Sequence, residues 1–241
     1  MLSANEIAVL HDRLTRAWHQ AAGDPGEAAP PNADAGQQAN PHANLEAQPQ
    51  AAADWLGLVA RQHRANFDLW HIEDEARAPG ATDAELAEVK RRVDRTNQSR
   101  NDLAEELDRA LLGWLETQGL LNPEAQLHSE SPGLIIDRLS IQALKIYHTR
   151  EEADRQDAPP GHAGRNKERL AILEQQRADL AGCLDQLWLE TLEGTRRFKI
   201  YRQLKMYNDP SLNPAIYRKL RQQPVYRDIE EKIRRMKVKI R

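Results

Sequence analysis

Residues 69–77, LWHIEDEAR, gather Trp70, His71, Glu73, Asp74 and Arg77 into two turns of a helical stretch. At helical spacing His71 and Asp74 lie three residues apart and Glu73 and Arg77 four apart, so each pair shares a face. His71 and Asp74 are candidate catalytic residues, and Arg77 is a candidate ligand for an anion. A second polar set, NQSRNDLAEELD at 97–108, lies on the next helical stretch. A third, DRLSIQALKIYH at 137–148, lies on the one after. Long helices usually keep charge on a solvated outer face. Three consecutive segments with His, acid, Lys and Arg near their middles therefore stand out.

In the third set, 100° per residue puts Asp137 and His148 within ~20° of each other, with Lys145 about 80° around and Arg138 adjacent. Ile135, Ile136, Leu139, Ala143 and Ile146 form the apolar side. One acid, one imidazole and two fixed cations suit a phosphate or carboxylate ligand, with His148 as proton carrier. Asp137 and His148 join the candidate catalytic residues, and Arg138 and Lys145 the candidate ligand-binding ones. The same strip also reads as a solvated face on which Asp137 satisfies Arg138 or a neighbouring helix. In the second set, Asn97, Arg100 and Asn101 interrupt an apolar row and point inward or to the edge of a seam. A buried polar group left unpaired costs about 1–3 kcal/mol, so these three need partners. His71, Asp74 and Asp137 are available. The residues either form a polar layer that fixes helix register or line a ligand pocket.

Acids give a weaker metal reading. Glu105 and Asp108 form E-x-x-D, with Glu73 and Asp74 on the preceding stretch. All-α nucleoside-triphosphate pyrophosphatases hold Mg²⁺ with acids on facing helices. The E-x-x-E of those enzymes is missing, and Arg77 stands where an acid would help. The Glu plus E-x-x-H pattern of di-iron bundles is also missing. No metal ligands are assigned and no cofactor is expected, with Mg²⁺ as the subsidiary reading. The C-terminal RRFKIYRQLKMYNDPSLNPAIYRKL interleaves Phe198, Tyr201, Tyr207 and Tyr217 with cations. Arg202 and Lys205 are candidate anion ligands there, since aromatics can stack on sugars or bases while cations take phosphates. Packing of those rings on the body is the plainer account. No nucleic-acid-binding motif, nucleophile elbow or phosphate-cradling glycine loop is visible.

The elements that must carry these residues are helical. The 241-residue chain is 40% hydrophobic and 29% charged, with a mean hydropathy of -0.77, as suits amphipathic helices with wide solvated faces. Residues 22–50 are rich in Ala, Pro, Gly, Asn and Gln and read as a disordered, removable linker. Ahead of it, Ile7, Leu10, Leu14 and Trp18 mark a docking helix over residues 1–21. The bundle domain follows over 51–220 and a basic extension over 221–241. Pro79-Gly80, Gly119 and Pro159-Pro160-Gly161 cut the domain into long pieces. TDAE at 82–85 is a capping box, and Ser131-Pro132 an N-cap followed by proline at the first helical position. The last long piece reads as continuing from about Asn166 to Asn208. The expected fold is all-α: an antiparallel bundle of about four long helices with short N- and C-terminal helices.

Charge is unevenly spread. Fifteen Lys/Arg and four Asp/Glu in residues 196–241 leave that segment at +11 and the rest at -14, for a net -3. The segment is expected to fold back onto the acidic body at least as far as Tyr217, covering its tyrosines. The single cysteine, Cys183, lies in the apolar row LAGCLDQLW and reads as a small core residue. Neither a signal peptide nor an apolar run of about 18 residues is seen, so a cytoplasmic protein without a membrane span is expected.

Four blocks, LWHIEDEAR, VKRRVDRTNQSRND, SPGLIIDRLSIQALKIYH and YRQLKMYNDPSLNPAIYRKL, resemble in order the signature blocks of a bacterial domain-of-unknown-function family. The resemblance covers about residues 52–220. That family is typically found beside glycosyltransferases in surface-polysaccharide gene clusters. It implies a helical fold and a glycan-related setting and supplies no reaction. One expectation is a bundle that binds or processes an anionic sugar-phosphate or nucleotide-sugar ligand. Another is a non-enzymatic adaptor of a glycosyltransferase, and a third is a Mg²⁺-dependent pyrophosphatase-like enzyme. An open cleft favours the first, and a closed, fully paired polar layer the second.

Overall fold

The computed structural model describes residues 3–22, 47–202 and 211–214, with side chains at 3–21, 54–202 and 211–214. The chain divides into two compact units, Met1–Tyr201 and Arg202–Arg241; the fold below is that of the first. Most of the expected linker, the expected basic extension over 221–241, and Lys205, Tyr207 and Tyr217 lie outside the described residues.

The described residues of this unit form five helices: α1 (Ala4–Ala22), α2 (Ala47–Glu75), α3 (Asp83–Thr117), α4 (Pro132–Asp154) and α5 (His162–Leu192). The all-α expectation holds. The start of α3 is the expected capping box, with Thr82 and Glu85 satisfying each other's amides. Ser131 is the N-cap of α4 and Pro132 follows it, but the Ser131 hydroxyl makes no cap bond. It donates instead to Asp108 Oδ2 on α3, at 2.5 Å.

Helix α3 ends in a left-handed glycine, Gly119 (φ 69°), with Leu120 N–H donating to Leu115 O and Gly119 N–H to Glu116 O. That is a Schellman end. Helix α5 ends in the same way: Gly194 has φ 71°, Thr195 N–H donates to Glu190 O and Gly194 N–H to Thr191 O. The expected continuation to Asn208 is therefore wrong, because Gly194 stops the helix at Leu192. The chain then forms a two-residue parallel bridge, β1 (Gln126–Leu127) with β2 (Arg196–Arg197), which the sequence did not announce.

Cross-helix contacts fix the directions. Glu75 pairs with Arg92 and Arg61 with Glu106, so α2 and α3 are antiparallel. Arg100–Asp137 with Asp108–Ser131 does the same for α3/α4, and Glu152–His162 with Arg150–Glu174 for α4/α5. Helices α2 to α5 thus form the expected up-and-down run. Helix α1 runs parallel to α2: His11 stacks on His63, and His19 meets His71. It is antiparallel to α5, through Asp12–Arg177 and Ala4 N–H to Asp185.

Helix α4 touches all four other helices and buries twelve residues, polar ones included. The core joins Ile7 of α1, Val59 of α2, Leu107 and Leu115 of α3, Ile135, Ile136 and Leu139 of α4, and Leu184 and Trp188 of α5. Phe198 also packs there, while Tyr201, expected to be covered, is exposed. Cys183 is exposed as well, against expectation. Helix α5 buries Leu184, Leu187, Trp188 and Thr191, a narrow i, i+3, i+4, i+7 stripe. Cys183 sits about 100° from Leu184, off that stripe.

Candidate functional site

Two polar centres lie along α4. At the first, Asp137 is 7% exposed and accepts from three side chains on two neighbouring helices. Arg100 of α3 grips it with both fork nitrogens, Nε to Oδ1 at 2.7 Å and a terminal nitrogen to Oδ2 at 2.5 Å. Gln62 and Asn66 of α2 also donate to Oδ1, at 2.6 and 3.0 Å. Asn66 donates in addition to Ser140 Oγ. Ser140 bonds His63 Nδ1 at 2.7 Å, and His63 Nε2 bonds the Thr15 hydroxyl at 2.9 Å. The chain of bonds runs from Arg100 across the bundle to α1.

A Ser–His bond could suggest a nucleophile, but Ser140, His63 and Thr15 are 0% exposed and Asp137 holds Asn66 and Gln62 rather than His63. No substrate reaches this serine. The arrangement is a closed polar layer that sets helix register. Burial pushes the His63 imidazole down to about 3. Burial also lowers His11, helped by His63 and the Arg177 guanidinium. Both rings stay neutral at physiological pH.

Eleven residues separate Asp137 from His148, roughly 16 Å along the helix. The strip read as one site is therefore two. At the second centre, His148 meets His71 of α2 (ring centroids 6.0 Å) and His19 of α1 (4.9 Å). His19 and His71 are 5.1 Å apart. All three are half-buried, and one ligating atom from each lies within 4.8 Å of the others. Trp70 stacks on His148 at 5.0 Å and Tyr147 on His19 at 4.3 Å, which fixes the ring planes. Burial lowers the His148 pKa, partly offset by its bond to Glu151.

The remaining sequence candidates are scattered. Asp74 is exposed, and Arg77 is exposed and paired with Glu73 as its spacing implied. Arg138 is exposed and pairs with Glu130; Lys145 and Arg202 are exposed. Asn97 is half-buried and engaged. Asn101 is half-buried, with its amide nitrogen unpaired among the described residues. The four acids of the Mg²⁺ reading do not gather. Asp108 is buried and accepts from Ser131 and the Gly133 N–H, while Glu73 holds Arg77. Burial lifts Asp108 to about 6.

The sequence reading missed His19, and with it His11, Thr15, Gln62, His63, Asn66 and Ser140. A signal was present. His11, Thr15 and His19 fall at i, i+4, i+8 on α1, and His63, Phe67 and His71 repeat that spacing on α2. Two such rows on parallel helices place one histidine pair at each polar centre. The apolar row of α1, one step round the helix, drew the attention instead.

Among the described residues no helix is long and apolar enough to cross a membrane. No curated protein and no solved structure matches the chain. Residues 56–200, from the first third of α2 to just past β2, match a family model described as "Protein of unknown function (DUF4254)". His71, Arg100, Asp137 and His148 lie within that match and His19 ahead of it, and the chain belongs to this family.

Proposed function

We propose that the protein binds and processes an anionic sugar phosphate or nucleotide sugar, in surface-polysaccharide metabolism, at the end of the bundle where His71 and His148 meet. The convergence of these two half-buried imidazoles from different helices carries the reading. An imidazole can accept or deliver a proton. The half-buried Trp70 beside them offers apolar surface to a sugar ring. The glycan setting rests on the resemblance of the four sequence blocks.

The test is thermal melting of the full chain with a panel of sugar phosphates and nucleotide sugars. A ligand at 100 times its Kd adds about 2.7 kcal/mol of stability. His71→Asn and His148→Asn are expected to remove that shift while the unliganded proteins still melt cooperatively. No shift across the panel, or a shift that survives both substitutions, would overturn the reading.

One observation favours a second reading, a non-enzymatic adaptor of a glycosyltransferase. The layer around Asp137 is closed, and its polar groups are engaged with one another save Gln62 Oε1, which is buried without a partner among the described residues. This reading expects a stable complex with the glycosyltransferase and no response to small ligands.

A further inference from the structure

His19, His71 and His148 are held in related ways. His19 Nδ1 bonds the Thr15 carbonyl at 2.7 Å, and His71 Nδ1 the Phe67 carbonyl at 2.8 Å, each one turn back along its own helix. His148 Nδ1 bonds the Glu151 carboxylate at 2.9 Å. A ring nitrogen that bonds a carbonyl or carboxylate oxygen must carry the proton. In the neutral ring the proton is then on Nδ1, and the lone pair is on Nε2. Nε2 of His19 and Nε2 of His148 are buried and have no hydrogen-bond partner among the described residues. Packing alone gives no reason for this, since Phe or Leu would fill the space without stranding two ring nitrogens.

We propose that the three Nε2 atoms bind one divalent transition-metal ion of the zinc class, leaving a fourth position for water or a ligand oxygen. Three imidazoles with no acid select Zn²⁺-like ions over Mg²⁺ or Ca²⁺. Three protein ligands and an open position are the pattern of reactive rather than purely structural zinc. Nδ1 bonds to carbonyls and a carboxylate are the outer partners that orient metal-bound histidines. Tetrahedral bonds of about 2.0–2.1 Å put ligand nitrogens roughly 3.3 Å apart. One ring nitrogen from each histidine lies within 4.8 Å of the others, so small side-chain rotations close the site. The ion deepens the ligand reading above, to which it adds a positive charge for an anion, and it rests on that reading only for the identity of the ligand.

The test uses metal alone. The full, tag-free chain is stripped with a chelator and titrated with Zn²⁺ and Co²⁺. One equivalent is expected to bind, raise the melting temperature and, for Co²⁺, give the intense visible bands of a tetrahedral complex. His71→Gln and His148→Gln, which keep side-chain bulk, are expected to lose the bands while their metal-free melts stay cooperative. Glu151→Gln should weaken binding by about 10–100-fold. Cys183→Ser, which removes the exposed thiol, should change nothing. Absence of stoichiometric binding, or binding that survives loss of His71 and His148 together, would overturn the proposal. Metal binding without any response to phosphorylated sugars would sink the ligand reading and leave this one standing; the converse result would sink this one.

Discussion

His11 and His63 stack with centroids 4.4 Å apart, both fully buried, and neither accepts a proton cheaply. In the unfolded chain each takes one near its ordinary value of 6.5, whereas folded His63 waits until about 3. Below pH 6.5 the unfolded state therefore binds more protons, and stability falls with pH. The contribution is complete above 6.5 and is lost progressively as pH falls, for His63 down to about 3, at about 1.4 kcal/mol per pH unit for a histidine held neutral. Asp108 opposes this: its folded value, raised to about 6, makes acid favourable to the fold between about 6 and its ordinary 3.8. Two histidines outweigh one aspartate, so urea midpoints should fall from pH 6.5 to 5. A flat profile would show that these rings are already charged or hydrated in the folded protein. Asp137→Asn probes the neighbouring layer. It keeps the shape, removes the acceptor for one Arg100 nitrogen and leaves a cation with 23% side-chain exposure unpaired. The expected loss is about 3–5 kcal/mol in urea unfolding, toward the low end because Arg100 keeps some water. A loss below about 1 kcal/mol would mean that solvent reaches the layer.

Helix ends were legible where a side chain or a proline marks them, as at Thr82–Glu85 and Ser131–Pro132. Gly119 and Gly194 close α3 and α5 by the same hydrogen bonds, yet only the first could be read as a stop. RRFKIYRQLK after Gly194 keeps a helical rhythm, whereas Asn122-Pro123 soon after Gly119 does not. Interior partners were harder still. Asp137 lies on a helix buried on nearly all sides, so the apolar row of α4 could not say which polar residues face water. The α3/α4 contact turns on Gly133. A Cβ there would press into the Ala104 carbonyl and come within 2.9 Å of Asp108 Oδ1. Gly133→Ala must push the helices apart or displace Asp108 from the α4 N-terminus, and should cost about 1–3 kcal/mol. Gly113, on the exposed side of α3, has nothing within 4 Å of its would-be Cβ. Gly113→Ala should stabilise by about 0.5–1 kcal/mol through helix propensity. Equal effects from the two substitutions in thermal melts would rule out the close approach at Gly133.

At the scale of the whole first unit, the parallel course of α1 and α2 constrains the connection between them. His11 is level with His63 and His19 with His71, an offset of 52 residues at both levels. Ala22 then ends α1 near the height of residue 74 of α2, while α2 begins at Ala47. Some 27 residues of helix, roughly 40 Å at 1.5 Å each, must be retraced. An extended chain covers at most about 3.3–3.6 Å per residue, so at least about 12 residues are needed. Residues 23–46 supply 24. Complete removal of 22–50, which composition alone suggested to be harmless, would also cut into α2 and could not leave α1 in place. Removing about ten residues should leave the melting temperature within a few degrees, because loop length costs little once closure is possible. Removing about twenty should detach α1. Thr15 would be withdrawn from His63, Ile7 from the core and His19 from the three-histidine cluster, so stability and metal binding should fall together. If the twenty-residue deletion melts and binds Co²⁺ like the full chain, α1 does not lie parallel to α2 and the three-histidine site is wrong with it.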